Sequence, residues 1–210
     1  MSRLQHLRQK YIPRLPKILE NLHQIEFYKE EKTSAIKNAE EIRKIFPHTF
    51  GRPLVSARKA DINHFKELRV GVVVSGGQAA GGQNVIVGLL DALSSCKPKS
   101  KRVGLRNGPS GIVDGKYQEL QAKTVDPYRN QGGFDLIGSG RTKLETEEQL
   151  AASLKTVIHL DLNGLVIIGG DDSNTNAAVL AEYFLEKKCK TVVVGVPKTI
   201  DGDLKNSYIA

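Results

Sequence analysis

The residues of this chain best suited to chemistry fall in four short segments, each following an apolar run. Ser75-Gly76-Gly77-Gln78-Ala79-Ala80-Gly81-Gly82 is glycine-rich, and glycines let backbone N–H groups approach phosphate oxygens while a following helix offers its positive end. The segment lacks the Lys-Ser/Thr of a P-loop and does not keep the GxGxxG register. A tight strand-to-helix turn therefore accounts for it as well as a phosphate cradle does. In Gly138-Ser139-Gly140-Arg141 small residues lead to a guanidinium, either a surface arginine after a glycine turn or a bidentate phosphate contact. Gly169-Gly170-Asp171-Asp172-Ser173 places two carboxylates beside a helix start. Such a pair can hold Mg²⁺ through one oxygen and leave coordinated waters, or Asp172 or Ser173 can cap the helix. Pro197-Lys198-Thr199-Ile200-Asp201-Gly202-Asp203 adds a lysine, a hydroxyl and two further carboxylates. Two strand ends with two carboxylates each and one lysine form a constellation for phosphoryl transfer, in which one carboxylate takes a hydroxyl proton, others bind metal and cations balance developing charge.

These segments need a scaffold that brings strand ends together. Arg69-Val70-Gly71-Val72-Val73-Val74 is a short β-branched run followed by an apolar-periodic stretch from about Gln83 to Leu93, a strand then a helix. Further apolar runs at Arg102 to Leu105, Phe134 to Ile137, Gly164 to Ile168 and Thr191 to Val196 read as strands, with helices at Glu147 to Leu160 and Thr175 to Lys187. The alternation predicts an α/β domain, a Rossmann-like parallel sheet with helices on both faces and chemistry at the carboxyl ends of its strands. The preceding residues, 1–66, read as a helical extension, because Leu15, Ile18, Leu19, Leu22 and Ile25 recur at helical spacing. Pro13 and Pro16 suit a helix start, and Pro47 and Pro53 bracket a turn-rich connector.

The four motifs, in this order, resemble the phosphofructokinase family and most closely its pyrophosphate-dependent branch. Gly169 to Ser173 together with Pro197 to Asp203 carries the resemblance; the turn at Gly76 and Gly77 or the segment ending in Arg141 alone would not. The resemblance runs from about Arg69 onward and implies an α/β donor-binding lobe over residues 67–210. It implies that Asp201 is the general base for the 1-hydroxyl of fructose 6-phosphate, that Thr199 positions that sugar phosphate, and that Asp171 binds Mg²⁺, with Asp203 supporting the metal or the base. Gly76, Gly77 and Arg141 would line the donor phosphates. In ATP-using relatives glycines usually stand at the positions matching Asp172 and Lys198. An aspartate there would crowd and repel a nucleotide, whereas Lys198 can neutralise compact pyrophosphate. Gln83 stands where many long pyrophosphate enzymes have histidine, a change of polarity read as tolerated. The family further implies a second α/β lobe with most sugar-phosphate contacts and basic residues from a neighbouring subunit. The expectation is a chain that carries donor-side and base machinery and works in a homo- or hetero-oligomer. A related kinase using ATP, such as the NAD kinase group, and a non-catalytic chain that assembles with a complete partner are the competing readings.

Composition sets the outer bounds. The 210 residues carry 31 Lys and Arg against 23 Asp and Glu, a net charge of +8. Fourteen of these cations and seven of the acids lie at or before Lys66, so the excess sits in the N-terminal segment. Its basic residues make either a solvated, packing arm or a site for anions or a partner subunit. No tryptophan is present, the six Phe and six Tyr are scattered, and no basic-aromatic motif supports nucleic-acid binding. No apolar run reaches the length of a membrane span. Cys96 and Cys189 form neither a metal pair nor a disulfide pattern, which fits a reducing, cytoplasmic location.

Overall fold

The computed structural model describes residues 2–62 and 64–198. Thr199, Asp201 and Asp203 lie outside the described residues. The elements in chain order are α1 (Arg3–Gln9), β1 (Ile25–Lys32), α2 (Ala39–Ile45), β2 (Pro53–Lys59), β3 (Arg69–Val74), α3 (Gly82–Cys96), β4 (Lys101–Leu105), α4 (Pro109–Val113), β5 (Tyr117–Glu119), α5 (Ala122–Val125), α6 (Glu147–His159), β6 (Gly164–Gly169), α7 (Asp171–Glu186) and β7 (Val192–Pro197). Among the described residues no helix is long and apolar enough to cross a membrane.

The main sheet has five strands in the order β5-β4-β3-β6-β7. β4, β3, β6 and β7 are parallel, and β5 runs antiparallel to β4 at one edge. Both faces of the central strands are covered, which is why β3 and β6 are apolar at nearly every position rather than at alternate ones. On one face Val70, Val72, Val74, Val166 and Ile168 pack against Ile86, Val87 and Leu90 of α3. On the other Val73, Leu165 and Ile167 meet Val157 of α6 and Ala177, Leu180 and Phe184 of α7. The strand and helix expectations for residues 69–105 and 147–197 hold to within a few residues. α6 starts where Thr146 and Gln149 cap each other: Thr146 Oγ1 accepts from Gln149 N (3.3 Å) and Gln149 Oε1 accepts from Thr146 N (3.1 Å).

Two stretches differ from the sequence expectation. Phe134 to Ile137 does not form a strand. Instead of a ladder its backbone has scattered partners: Leu136 N donates to Gln83 Oε1 (3.1 Å), Leu136 O accepts from Gln118 Nε2 (2.8 Å), Phe134 O accepts from Gly138 N (2.7 Å) and Ile137 O accepts from Asn107 N (2.9 Å). Phe134, Leu136 and Ile137 are buried as a plug under the sheet edge, so a run that is apolar for burial reads the same as a strand. Just beyond the segment, Gly140 forms an isolated parallel bridge with Ser75.

The N-terminal stretch is not the expected helical extension. Among its described residues only Arg3–Gln9 and Ala39–Ile45 are α-helical; Lys17–Leu19 and Leu22–Gln24 are single 3₁₀ turns, and Ile25–Lys32 pairs antiparallel with Pro53–Lys59. Pro16 opens the first turn and Asn21 Oδ1 accepts from His23 N (3.2 Å) to open the second. An asparagine that bonds its own backbone competes with helix propagation, which breaks the helical spacing of Leu15 to Ile25. In β1 and β2 Glu26 pairs with Arg58 (2.6 Å), and Arg58 lies over the Tyr28 ring at 5.1 Å.

Candidate functional site

The carboxyl ends of β3, β6 and β7 open into a cavity of about 300 Å³. Gly76, Gly77, Arg141, Asp171, Asp172 and Lys198 all line it, although they come from four segments of the chain. Ser75, Gln78, Ala79, Thr142, Lys143, Gly170, Ser173 and Asn176 complete the wall.

Buried serines lock the three turns together. Ser173 Oγ donates to Ser75 Oγ (2.9 Å), which donates to Gly140 O (3.2 Å). Ser139 Oγ donates to Gly76 O (2.7 Å), and Gly76 N donates to Gly140 O (2.9 Å). Ser75 and Ser173 are almost fully buried. Glycine is required at 169, because a Cβ there would collide with the Ser173 side chain. At 76 the backbone has φ +83°, a left-handed conformation that only glycine adopts without strain. The Arg141 guanidinium closes over Gly77, where a built Cβ would lie 3.3 Å from Nη2. Asn176 ties the Arg141–Leu144 loop to α7, donating to Thr142 O (3.0 Å) and accepting from Leu144 N (3.2 Å).

The two carboxylates are not spent on capping. The N-cap of α7 is Gly170, with no side-chain cap hydrogen bond. Asn174 reaches back instead, donating through Nδ2 to Gly169 O (2.8 Å) and Gly170 O (2.7 Å). Asp171 and Asp172 are exposed at the cavity wall. The first-turn N–H groups of α7 point out of the helix without intrahelical acceptors, so the wall combines them with Arg141, Lys143 and Lys198. On Lys198 the backbone N donates to Gly169 O (2.8 Å) and the ammonium donates to Gly77 O. Three cations, a helix N-terminus and glycine backbone on one concave wall suit a compact polyanion, and two exposed carboxylates suit the divalent cation that accompanies it. Among the described residues no group of three or more acidic, cysteine or histidine side chains could hold a metal by itself.

Sequence reasoning missed Lys143 and Asn176. Lys143 had a signal, a second cation two residues beyond Arg141 in the same loop; Asn176 had none, being one polar residue in a helix.

The profile of the phosphofructokinase family, described as "Phosphofructokinase", matches residues 69–210. The chain belongs to the phosphofructokinase family. The pyrophosphate--fructose 6-phosphate 1-phosphotransferase of Entamoeba histolytica is 49% identical over 212 residues, covering 100% of this chain and 38% of its own length. That of Porphyromonas gingivalis is 48% identical over 209 residues, covering 99% of this chain and 38% of its own. In Arabidopsis thaliana the enzyme's subunit beta 2 is 53% identical over 180 residues, covering 84% of this chain and 32% of its own. The chain thus spans less than two fifths of the length of these relatives. The fold is also that of solved phosphofructokinases. The pyrophosphate-dependent enzyme of Nitrosospira multiformis superposes with a TM-score of 0.60 at 19% identity, over 67% of this chain and 36% of its own. The Saccharomyces cerevisiae enzyme gives 0.57 at 24% identity, over 65% and 18%.

Proposed function

We propose that the cavity binds pyrophosphate and that the protein of which this chain forms part transfers a phosphoryl group from it to the 1-hydroxyl of fructose 6-phosphate. One observation carries the reading: Arg141, Lys143 and Lys198 converge with Asp171 and Asp172 on one small cavity at the N-terminus of α7. The names of the sequence relatives support the same donor and acceptor.

Gly76 and Gly77 bring backbone close to the donor, while Arg141, Lys143 and Lys198 neutralise its charge. Asp171 would hold Mg²⁺, which when bound offsets charge on the transferring phosphoryl group. Asp172 repels the additional phosphate of a nucleotide. Asp201 takes the proton of the sugar hydroxyl as that oxygen bonds to phosphorus and the bond to the leaving phosphate breaks, with Thr199 orienting the acceptor and Asp203 supporting the metal. The products are fructose 1,6-bisphosphate and phosphate, and the reaction is reversible. We assign residues 1–66 to a separate N-terminal unit and 67–210 to the donor lobe. The existence of relatives named as alpha and beta subunits supports action within an oligomer. The test is an aldolase-coupled assay with either donor: turnover with pyrophosphate and not with ATP is expected, and turnover with ATP alone contradicts the donor assignment.

A further inference from the structure

Phe134 belongs to the segment that failed to become a strand, and nothing in the proposed chemistry uses it. It is 3% exposed and does not itself line the cavity, yet the ammonium of Lys198, which does, lies 5.2 Å from its ring centroid. A cation within about 6 Å of an aromatic face is attracted by the ring quadrupole.

The ring has little freedom to be elsewhere. Gln83, 1% exposed at the start of α3, grips the loop on both sides of Phe134. Its Nε2 donates to Gly132 O (2.9 Å) and Gln131 O (3.3 Å), and its Oε1 accepts from Leu136 N (3.1 Å). The ring then fills the space a side chain at 82 would need, since a Cβ on Gly82 would lie 2.5 Å from Phe134 Cε1. Gln83, which reads from sequence as a tolerated polar change, is a clip for this loop.

We propose that Phe134, fixed by the Gln83 clip, is a positioning residue that holds the Lys198 ammonium toward the donor. Lys198 has a long flexible stem, and confining it before binding removes entropy that pyrophosphate would otherwise have to overcome. The ring and the Gly77 carbonyl both contact the ammonium. The role rests on the donor reading above.

The experiment places phenylalanines of increasing fluorine content at position 134 of the 210-residue chain, which drains the ring face of negative potential with little change of shape. Affinity for inorganic pyrophosphate with Mg²⁺ is measured by calorimetry, alongside the NMR shifts of the Lys198 Cε protons. The expected results are a stepwise loss of affinity reaching about two- to fivefold, ring-current-shifted Cε protons in the native chain, and no further loss from fluorination in a Lys198→Met background. Affinity unchanged by fluorination, or a loss that persists in Lys198→Met, overturns the proposal, since a merely packing role would behave that way. Phe134→Leu adds a check: it abolishes the ring-current shift if the pair exists. Failure of the native chain to bind pyrophosphate overturns the donor reading and the role together. An absent ring-current shift in a chain that does bind it overturns the role alone.

Discussion

The N-terminal stretch, residues 2–62, and the donor edge of the sheet both collect cations, but they hold them differently. In the N-terminal stretch the positive charge is spread over exposed residues. Where it is paired, as in Arg58 with Glu26 or Arg43 with Glu40, the partner is a carboxylate on the same small unit. At the donor edge Arg141, Lys143 and Lys198 are few, but they face one cavity, and the Lys198 ammonium is held by a carbonyl and a ring. Under the proposed function, charge count points away from the site, because surface charges are screened and solvated, whereas cations held around a concave wall act together.

That contrast is sharpened most by removing the proposed base. Asp201→Ser is expected to lower kcat by about 10²–10⁴-fold with little change in KM, and a mild effect would take Asp201 out of that role. Lys198→Met should weaken pyrophosphate binding by about 10- to 100-fold, the loss of a charge-assisted contact, while replacing Lys10 or Lys37 of the N-terminal stretch by methionine leaves it unchanged; calorimetry compares them directly. Next in size is Ser173→Ala, which cuts the tie between α7 and the β3 turn and should cost about 1 kcal/mol of stability together with a few-fold loss of donor affinity. Thr146→Ala should cost about 1 kcal/mol in urea denaturation and leave donor affinity alone.

The smallest effect on the donor site concerns one of the links between the N-terminal stretch and the α/β part. Glu182 of α7 accepts from His48 N (2.8 Å), His48 Nδ1, Thr49 N (2.9 Å) and Thr49 Oγ1 (2.8 Å). Burial alone would raise its pKa, but these donors outweigh it and hold the carboxyl below its ordinary value. A depressed carboxyl stabilises the contact above the unfolded-state pKa and loses that contribution as pH falls through the folded value. The protection factors of the His48 and Thr49 amides, taken relative to the intrinsic exchange rate at each pH, are therefore expected to fall in acid and in Glu182→Gln, with pyrophosphate affinity unaltered at neutral pH.

The same contrast explains what the sequence revealed. Strands β3 and β6 were legible because parallel, centrally placed strands are apolar throughout, and β7, at the sheet edge, by its run of valines; the motifs Gly169 to Ser173 and Pro197 to Asp203 stand at the ends of β6 and β7. Phe134 to Ile137 misled because burial, not pairing, makes it apolar. Residues 15–25 misled because the asparagine at 21 and the proline at 16 redirect a spacing that fits a helix. Among site residues, the glycines, Arg141, Asp171, Asp172 and Lys198 stood out by type and position. Lys143 and Asn176 did not, and Ser75 and Ser173, though part of their motifs, gave no sign that they tie together turns adjacent only after folding.

The central claim is that the anion site is the cavity and not the basic N-terminal stretch. Titrating the ¹⁵N-labelled chain with pyrophosphate and Mg²⁺ tests it most directly. The account predicts that the amide signals of Gly76, Gly77, Asp171 and Asp172 shift in a saturable way while those of residues 2–62 stay put. Saturable shifts confined to the N-terminal stretch would contradict it.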